Sequence, residues 1–350
     1  MLNWSMSRGR FYVRLESGEW PLLDELEGSP PFDAAVISDR YLAPYPSGHQ
    51  REDEPADRLA DAVDGVDRPF SVDLDTARLQ HSASVERQSA RSALRPVARA
   101  MALPLTVEML QSPAAVSALV DAAQISQVRA GAFAAPYLEV AGPEDPRQQI
   151  NIELLRASRP LADGRPLIGY LQVLHSTLVS GNALKAAIRL VPHADVIAVR
   201  ARRVDPARVR PEQARRLIEL VASLALRGVR VIADCAGPAG PPLVAAGADA
   251  FSAGTRFFHT VPSDLHPTIG GGGGTPLSTI IPLADKPRVA SLRDGTDNAT
   301  TRLENLRVMQ AAARQAGMMG PDYAELLVSS DRAQGAVWAA ELRRLQIRAA

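Results

Sequence analysis

Two aspartates and a histidine stand where the chain could carry out acid–base or metal chemistry. Asp73 and Asp75 are two residues apart in an extended segment, so both are expected on the same side of a strand. Paired carboxylates can bind a metal ion or exchange protons, and His175 could act as a general base near neutral pH. The alternative is structural: one aspartate pairs with Arg200 or Arg202, and His175 caps a helix.

A second group of polar residues has the chemistry to hold a ligand. Arginine side chains bind phosphate and carboxylate groups with paired N–H donors, and the amide of Gln172 could orient a planar ring. Asp234 adds a further acid–base candidate, whereas Cys235 beside it is expected to be a small buried residue rather than a nucleophile. The predicted substrate-binding residues are Gln172, Arg200, Arg202, Glu108 and Tyr137, with Arg256 as a further ligand for an anion.

These residues follow short apolar segments that alternate with longer helical ones. A strand followed by a helix, repeated along the chain, forces parallel strands joined by right-handed crossovers. The eight segments that we interpret as strands are 32–38, 70–75, 105–109, 133–140, 167–173, 195–200, 229–234 and 248–252. Eight such units predict an α/β protein with a (β/α)8 TIM-type barrel; an open doubly wound sheet is the alternative. In a barrel, the active site lies at the carboxyl ends of the strands.

The helical segments show the spacing of helices that pack one face on a sheet. Leu217, Val221 and Leu224 lie on one face, Pro211 suits the first turn, and Gly228 suits the end of that helix. We predict an N-terminal lead-in over 1–30 with a hairpin at 10–15, a barrel over 31–260, a glycine-rich loop over 261–297 and a helical C-terminal extension over 298–350 that packs on the barrel.

The glycine-rich loop contains the uninterrupted run Gly270–Gly274. Phosphate-binding loops present backbone N–H groups at the start of a helix. This run matches neither G-x-x-x-x-G-K-[ST] nor G-x-G-x-x-G after a strand. It is either the hinge of an active-site flap or a plain flexible linker.

The composition excludes several classes of protein. The 350 residues include 39 Lys+Arg and 39 Asp+Glu, so there is no overall field to attract nucleic acid, although a local patch could still bind it. The single cysteine excludes a disulfide framework and a cysteine-rich metal site. No segment approaches the ~18 apolar residues of a membrane span, and the N-terminus lacks the apolar core of a signal peptide. We therefore expect a cytoplasmic, bacterial protein without a membrane partner. The sequence does not predict its oligomeric state.

The last two strand–helix units carry a first resemblance. It lies in Ile232-Ala233-Asp234-Cys235-Ala236-Gly237 and in Ala253-Gly254-Thr255-Arg256-Phe257-Phe258. These segments are similar to flavin-binding barrels such as the nitronate monooxygenases, in which a glycine after strand seven and a Gly-Thr pair after strand eight hold the flavin phosphate. The resemblance implies FMN as a cofactor, and its predicted contacts are Gly237, Gly254, Thr255 and Arg256.

A broader resemblance runs from residue 167 to residue 258. The resemblance is clearest in two segments, Gly169-Tyr170-Leu171-Gln172 and Gly247-Ala248-Asp249-Ala250-Phe251-Ser252. The first resembles the base-reading V-Q-G strand of the tRNA-guanine transglycosylase superfamily, and the second resembles its G-x-D-x-F-D strand. The last aspartate of that strand is the family's nucleophile, and Ser252 stands at its position. The family's D-S-G-x-F-Q motif and zinc cysteines are missing, so the chain resembles a diverged or catalytically inactive relative.

Three functional hypotheses follow from these features. The first is an enzyme acting on a nucleobase-containing or other phosphorylated ligand, of base-exchange type, with Asp73, Asp75, Asp234 and His175 as catalytic residues. The second is an FMN-dependent oxidoreductase. The third is a non-catalytic barrel that serves as a subunit of a larger assembly.

Overall fold

Eight parallel strands form a single closed sheet in the computed structural model of the chain. The structure describes residues 7–15, 22–23, 26, 29–38, 62–81, 101–202, 204, 209–254, 279–281, 288–290, 299–329 and 333–349. The strands are β1 Arg10–Leu15, β2 Ala34–Ser38, β3 Phe70–Asp73, β4 Phe133–Ala134, β5 Leu167–Leu174, β6 Val196–Arg202, β7 Arg230–Ala233 and β8 Ala250–Gly254. A separate antiparallel pair consists of β9 Thr279–Ile281 and β10 Arg288–Ala290.

The order of the strands defines a (β/α)8 barrel and confirms the predicted fold class. Neighbouring strands run β3-β2-β1-β8-β7-β6-β5-β4, and every pair is parallel. The backbone N–H of Gly131, just before β4, donates to the carbonyl of Phe70 at the start of β3 (2.9 Å). This contact joins the two ends of the order, so the sheet closes on itself.

Side chains of each strand alternate between the barrel interior and the surrounding helices. On β6, Val196 and Ala198 belong to the apolar cluster inside the barrel, whereas Ile197 and Val199 pack in the larger cluster beneath the helices. The same period of two places Arg200 and Arg202 on the interior side, at the carboxyl end of the strand.

Helices cover the outside of the sheet. They are α1 Val107–Leu110, α2 Pro113–Ile125, α3 Pro146–Ser158, α4 His175–Val179, α5 Asn182–Leu190, α6 Pro211–Ala225, α7 Gly240–Ala245, α8 Ala299–Met319, α9 Ala324–Ser329 and α10 Ala333–Ala349. The C-terminal helices pack on this layer, α8 against α7 and β1, and α10 against α6. Within the described residues, no helix is long and apolar enough to cross a membrane.

Local sequence explains where these helices begin and end. Helix α6 starts at Pro211, and the chain leaves it through Gly228, whose φ of 73° favours glycine. Helix α7 starts at Gly240, where a Cβ atom would lie 2.1 Å from the ring of Phe251 on β8. The absence of a side chain at Gly240 therefore allows α7 to lie close against the sheet.

Two of the predicted elements are wrong: one predicted strand is helical, and one segment predicted outside the barrel is a strand of it. The number of barrel strands is therefore still eight. Residues 105–109, predicted as a strand, enter α1, because the Thr106 hydroxyl caps the helix by accepting from the backbone N–H of Met109 (3.3 Å). Residues 10–15, predicted as a hairpin in a lead-in, form β1 between β2 and β8. The barrel therefore begins at Arg10, not at residue 31. The run Gly270–Gly274 lies outside the described residues.

Candidate active site

Four charged side chains meet inside the barrel at the carboxyl ends of its strands. Arg14 is on β1, Asp73 ends β3, Arg200 is on β6 and Asp234 directly follows β7. We call these four residues the charge cluster. Asp73 and Arg200 are each 2% exposed and Asp234 is 5% exposed. Such burial is tolerated only when each charge is paired and hydrogen-bonded.

Arg200 lies between the two aspartates. Its Nε donates to Asp234 Oδ2 and its Nη2 to Asp73 Oδ2, each at 2.7 Å, and Nη2 also contacts Asp234 Oδ2. Arg14 makes a second bridge, from Nη2 to Asp73 Oδ2 (2.5 Å) and from Nη1 to Asp234 Oδ1 (2.9 Å). Two positive and two negative charges therefore cancel within the charge cluster. The structural alternative for Asp73, pairing with Arg200, is confirmed.

Neutral hydroxyl groups complete the coordination of both aspartates. The Tyr137 hydroxyl donates to Asp73 Oδ1 (3.0 Å) and accepts from Arg200 Nη1 (2.6 Å). The Ser252 hydroxyl donates to Asp234 Oδ1 (2.5 Å). With the backbone N–H of Asp75 on Asp73 Oδ1 (3.0 Å), each of the four carboxylate oxygens has at least two partners.

The arginines keep both aspartates ionised. Burial by itself raises the pKa of Asp73, but the charges of Arg200 and Arg14 outweigh it and hold that pKa well below its usual range. The pKa of Asp234 is also lowered, because Arg14, Arg200 and the Ser252 hydrogen bond outweigh its burial and the charge of Asp73. Burial raises the pKa of Tyr137 well above its ordinary value, so the phenol keeps its proton as a donor. Neither aspartate can therefore act as a general acid near neutral pH.

Two tyrosine rings form the wall beside Arg200. Tyr137 and Tyr170 are stacked, with ring centroids 4.6 Å apart. The Arg200 guanidinium carbon lies 5.1 Å from the centroid of Tyr170 and 5.7 Å from that of Tyr137. These distances are within the range of a cation–π interaction, which contributes to holding the guanidinium in place.

The backbone adopts unusual conformations just after two strands of the site. Asp75, after β3, has a φ of 47°, and Cys235, after β7, has a φ of 55°. Residues other than glycine are uncommon in this region, and such conformations concentrate at functional sites. Burial raises the pKa of the Cys235 thiol to about 12, so this thiol is protonated near neutral pH. The prediction that Cys235 is a small buried residue agrees with its 8% exposure.

A second polar group lies beside the charge cluster, with Gln172 on β5 level with Arg200 and Arg202 two residues further along β6. Arg202 binds Glu139 with one edge of its guanidinium: Nη2 donates to Oε1 (2.6 Å) and Nε donates to Oε2. Gln172 Nε2 also donates to Glu139 Oε2 (3.2 Å). All three side chains are buried, at 3% to 5% exposure. The positive charge of Arg202 is therefore matched by Glu139, so neither Arg200 nor Arg202 is the free anion ligand that the sequence predicts.

The side chains of three predicted site residues do not join the charge cluster. Asp75 is beyond the end of β3, so the alternation expected of a strand does not apply, and its carboxylate pairs with Arg78 Nε (2.6 Å). His175 begins α4 after the end of β5, and no hydrogen bond or ion pair of the described residues joins it to the cluster. Glu108 is exposed on α1 rather than at the end of a strand.

The predicted flavin contacts are only partly within the described residues. Gly254 ends β8 opposite Arg14 of β1, and Gly237 is buried in the turn after β7 with a φ of 49°. Thr255 and Arg256 lie outside the described residues. Metal binding at Asp73 and Asp75 gains no support, because the described part of the chain brings no three His, Cys, Asp or Glu side chains together as metal ligands.

Four site residues were missed by the sequence-based prediction of the site. Arg14 was missed because β1 was interpreted as part of a lead-in. Tyr170 and Glu139 were missed as partners, although Tyr170 alternates with Gln172 and therefore shares its side of β5. Ser252 was placed at the position of a family nucleophile but was not among the predicted site residues. A signal for Arg14 did exist, since in Arg10–Leu15 the arginine falls in phase with Tyr12 on the interior side.

Comparison with known proteins gives structural similarity at a low level. No protein-family model matches the chain, and no curated protein matches it significantly. Similar solved structures include the Thermobacillus composti GH10 xylanase, with 8% identity, 64% of this chain and 66% of that chain covered, and a TM-score of 0.38. Native xylanase 10B from Thermotoga maritima is 10% identical, with a TM-score of 0.40. The alignment covers 71% of this chain and 82% of the xylanase chain. The assignment of the fold as a barrel therefore rests on the strand order of this chain and not on these comparisons.

Proposed function

We propose that the chain is a barrel enzyme that removes or exchanges a nucleobase at a glycosidic carbon, with Asp234 as the carboxylate that faces this carbon. The observation that carries the proposal is the contact between Ser252 Oγ and Asp234 Oδ1 (2.5 Å). Ser252 occupies the position at which the resemblance expects a nucleophilic aspartate. Asp234, which directly follows the neighbouring strand β7, brings a carboxylate to the same place. It therefore supplies the negative charge that Ser252 on β8 lacks.

The ionisation of the charge cluster favours a leaving group that needs little help from an acid. Enzymes that cleave bonds between sugars generally use a protonated carboxylic acid of raised pKa to protonate the leaving oxygen. Here the pKa values of both Asp73 and Asp234 are lowered. A nucleobase can leave with the bonding electron pair delocalised over its ring, and the ionised Asp234 carboxylate can bond to the sugar carbon as positive charge develops there.

The proposed reaction has two balanced steps. Asp234 Oδ1 bonds to the anomeric carbon while the bond between this carbon and the base nitrogen breaks, and the electron pair leaves with the base. A second base or water then attacks the same carbon, Asp234 leaves as a carboxylate, and the proton of the attacking group passes to the departed base or to solvent. Ser252 must first rotate away from Oδ1. Releasing this neutral donor costs less than releasing an arginine, because it does not separate a buried pair of opposite charges.

An exchange assay tests this proposal. The full chain is incubated with radiolabelled free bases and a panel of nucleosides, nucleotides and oligonucleotides, and both incorporation and base release are measured. We expect turnover in the wild-type protein and a loss of about 10³-fold or more in Asp234→Asn. Glu325→Gln is the matched control, because Glu325 forms an exposed ion pair with Arg343. Absence of turnover with the whole panel, or full activity of Asp234→Asn, would overturn the proposal.

A non-catalytic role is the second candidate, and one observation favours it. All four oxygens of Asp73 and Asp234 already have at least two partners, which is the full acceptor capacity of a carboxylate. A cluster saturated in this way could serve only to hold the strands together. The two roles differ in their response to Ser252→Ala, which removes one of the two hydrogen bonds to Asp234 Oδ1 and leaves the bond from Arg14. An enzyme changes its rate, whereas a structural cluster changes only its stability.

A further inference from the structure

A small cavity lies between the sheet and the helix layer, behind the turn that carries Asp234. Its volume is about 30 Å³, and its walls come from β6, β7, α6, α7 and the turn after β7. The apolar side chains that line it include Val199, Val209, Leu217, Val221, Ala233 and Leu243. Apart from Ala201, the residues that line the cavity are buried. The cavity is therefore part of the core rather than a groove of the surface.

The cavity and the charge cluster lie on opposite sides of the sheet. Val199 of β6 and Ala233 of β7 line the cavity and belong to the apolar cluster beneath the helices. Arg200 follows Val199 and therefore lies on the interior side of the barrel. Asp234 borders the cavity, whereas its carboxylate is bound by Arg200 in the charge cluster. A molecule in the cavity would thus contact this turn from behind.

The polar groups of the turn at this cavity already have partners. The backbone N–H of Asp234 donates to the carbonyl of Val199 (2.9 Å), and that of Ala236 donates to the carbonyl of Ser252 (2.9 Å). The backbone N–H of Cys235 donates to Ser252 Oγ (2.8 Å), and its thiol lies 3.7 Å from Asp234 Oδ2. A water molecule held in a cavity needs about 2–4 polar partners. These groups offer a water molecule little, so the lining favours an apolar molecule.

The volume of the cavity limits the size of such a molecule. One water molecule needs roughly 10–15 Å³ of free space in a cavity. The 30 Å³ behind the turn is about twice that. The space therefore suits a molecule of about two heavy atoms.

We propose that this cavity is a binding site for a small apolar molecule of about two heavy atoms, such as a short alkane or an apolar gas. Dispersion contacts with the surrounding valine and leucine side chains hold the molecule, without a charge or a hydrogen bond. The site goes beyond the proposed function, because binding on the outer side of the sheet requires only the folded protein.

Ethane and methanol are a matched pair of probes for this site. Both have two heavy atoms, but the hydroxyl of methanol would be buried without enough partners. Each is titrated into the full chain, and the methyl signals of Val209, Val221 and Leu243 are followed by NMR, with those of Ile168 and Val196 in the barrel interior as a reference. We expect a saturable change at the cavity methyls alone, with ethane bound at least about tenfold more tightly than methanol. Equal affinities, or no saturable change with ethane, would overturn the proposal.

A variant that fills the cavity assigns the binding to it. Ala233→Val adds two methyl groups at the cavity wall, and valine suits a strand such as β7. It should weaken ethane at least about tenfold. Ala115→Val is the matched control, because Ala115 packs on the core from α2 and is not part of the cavity lining. Unchanged ethane affinity in folded Ala233→Val, or an equal loss in Ala115→Val, contradicts the proposal. If Ala233→Val does not fold, the comparison of the two probes on the wild-type protein still decides.

Discussion

Ser252 on β8 donates a hydrogen bond to Asp234 after β7 at 2.5 Å, and the same hydroxyl accepts the backbone N–H of Cys235 at 2.8 Å. One small side chain therefore fixes both the carboxylate and the strained backbone of the turn that carries it. This contact connects the two strands at the point where we place the reacting carbon.

Replacing Ser252 by alanine is expected to destabilise the protein by about 1–3 kcal/mol, because the buried N–H of Cys235 loses its acceptor. The free energy of unfolding is measured by denaturant titration. Ser117→Ala is the control, since Ser117 is exposed on α2 and its hydroxyl lies 3.4 Å from Asp121. An equal effect in the two variants would mean that the Ser252 contact does not hold the turn.

Replacing Arg200 by methionine should be far more damaging. Among the described residues it leaves Asp73 and Asp234 with Arg14 as their one arginine partner, and breaking a buried charge network costs about 3–5 kcal/mol. Arg343→Met removes an exposed pair with Glu325 and should change stability by less than about 1 kcal/mol. The two free energies of unfolding are compared at neutral pH. Similar small losses would show that the charge cluster contributes little to stability.

The lowered pKa values of the aspartates predict a loss of stability in acid. Their pKa values are lower in the folded than in the unfolded protein, so the unfolded state binds more protons as the pH falls. The stabilisation is complete above about pH 5 and declines below the ordinary aspartate pKa of about 3.9. Asp73→Asn should flatten the fall in stability between pH 5 and about pH 3, whereas Asp121→Asn on the surface of α2 should not. An unchanged slope in Asp73→Asn contradicts this interpretation.

Cys235 should resist thiol reagents while the protein is folded. Its thiol is buried, burial raises its pKa to about 12, and thiolate is the reactive form. We expect labelling by a disulfide reagent at pH 8 to be at least about 10²-fold slower than in denatured protein, a ratio that reflects the rarity of opening. Fast labelling of the folded protein would mean that the turn after β7 opens readily and that the charge cluster is accessible to solvent.

The sequence predicted the fold class better than the elements that compose it. Strand–helix alternation was enough to indicate a barrel, because parallel pairing follows from the connections. Residues 105–109 have the alternation of a strand, but the Thr106 cap and the following Pro113 helix place them in a helical region. The strand at 10–15 was missed because no helical segment precedes it. For the same reason Arg14 was not predicted as a site residue.

The candidate site was predicted in part. Asp73, Asp234, Arg200 and Tyr137 were chosen as polar residues at strand ends, and the structure brings all four together. The pairing of an aspartate with Arg200 was predicted only as an alternative. The other contacts could not be derived, because the distance between two side chains depends on register and on which strands close the barrel. Asp75 shows the limit of periodicity: the strand ends at Asp73, two residues before Asp75, so the alternation of a strand does not extend to Asp75.

The most direct test of the central claim is to locate the covalent intermediate. The protein is incubated with the substrate that supports exchange, quenched in acid, digested, and the peptides are mapped by mass spectrometry. The account predicts a glycosyl adduct on Asp234 in the wild-type protein and none in Asp234→Asn. An adduct on another residue, or turnover with Asp234 unmodified throughout, would contradict it.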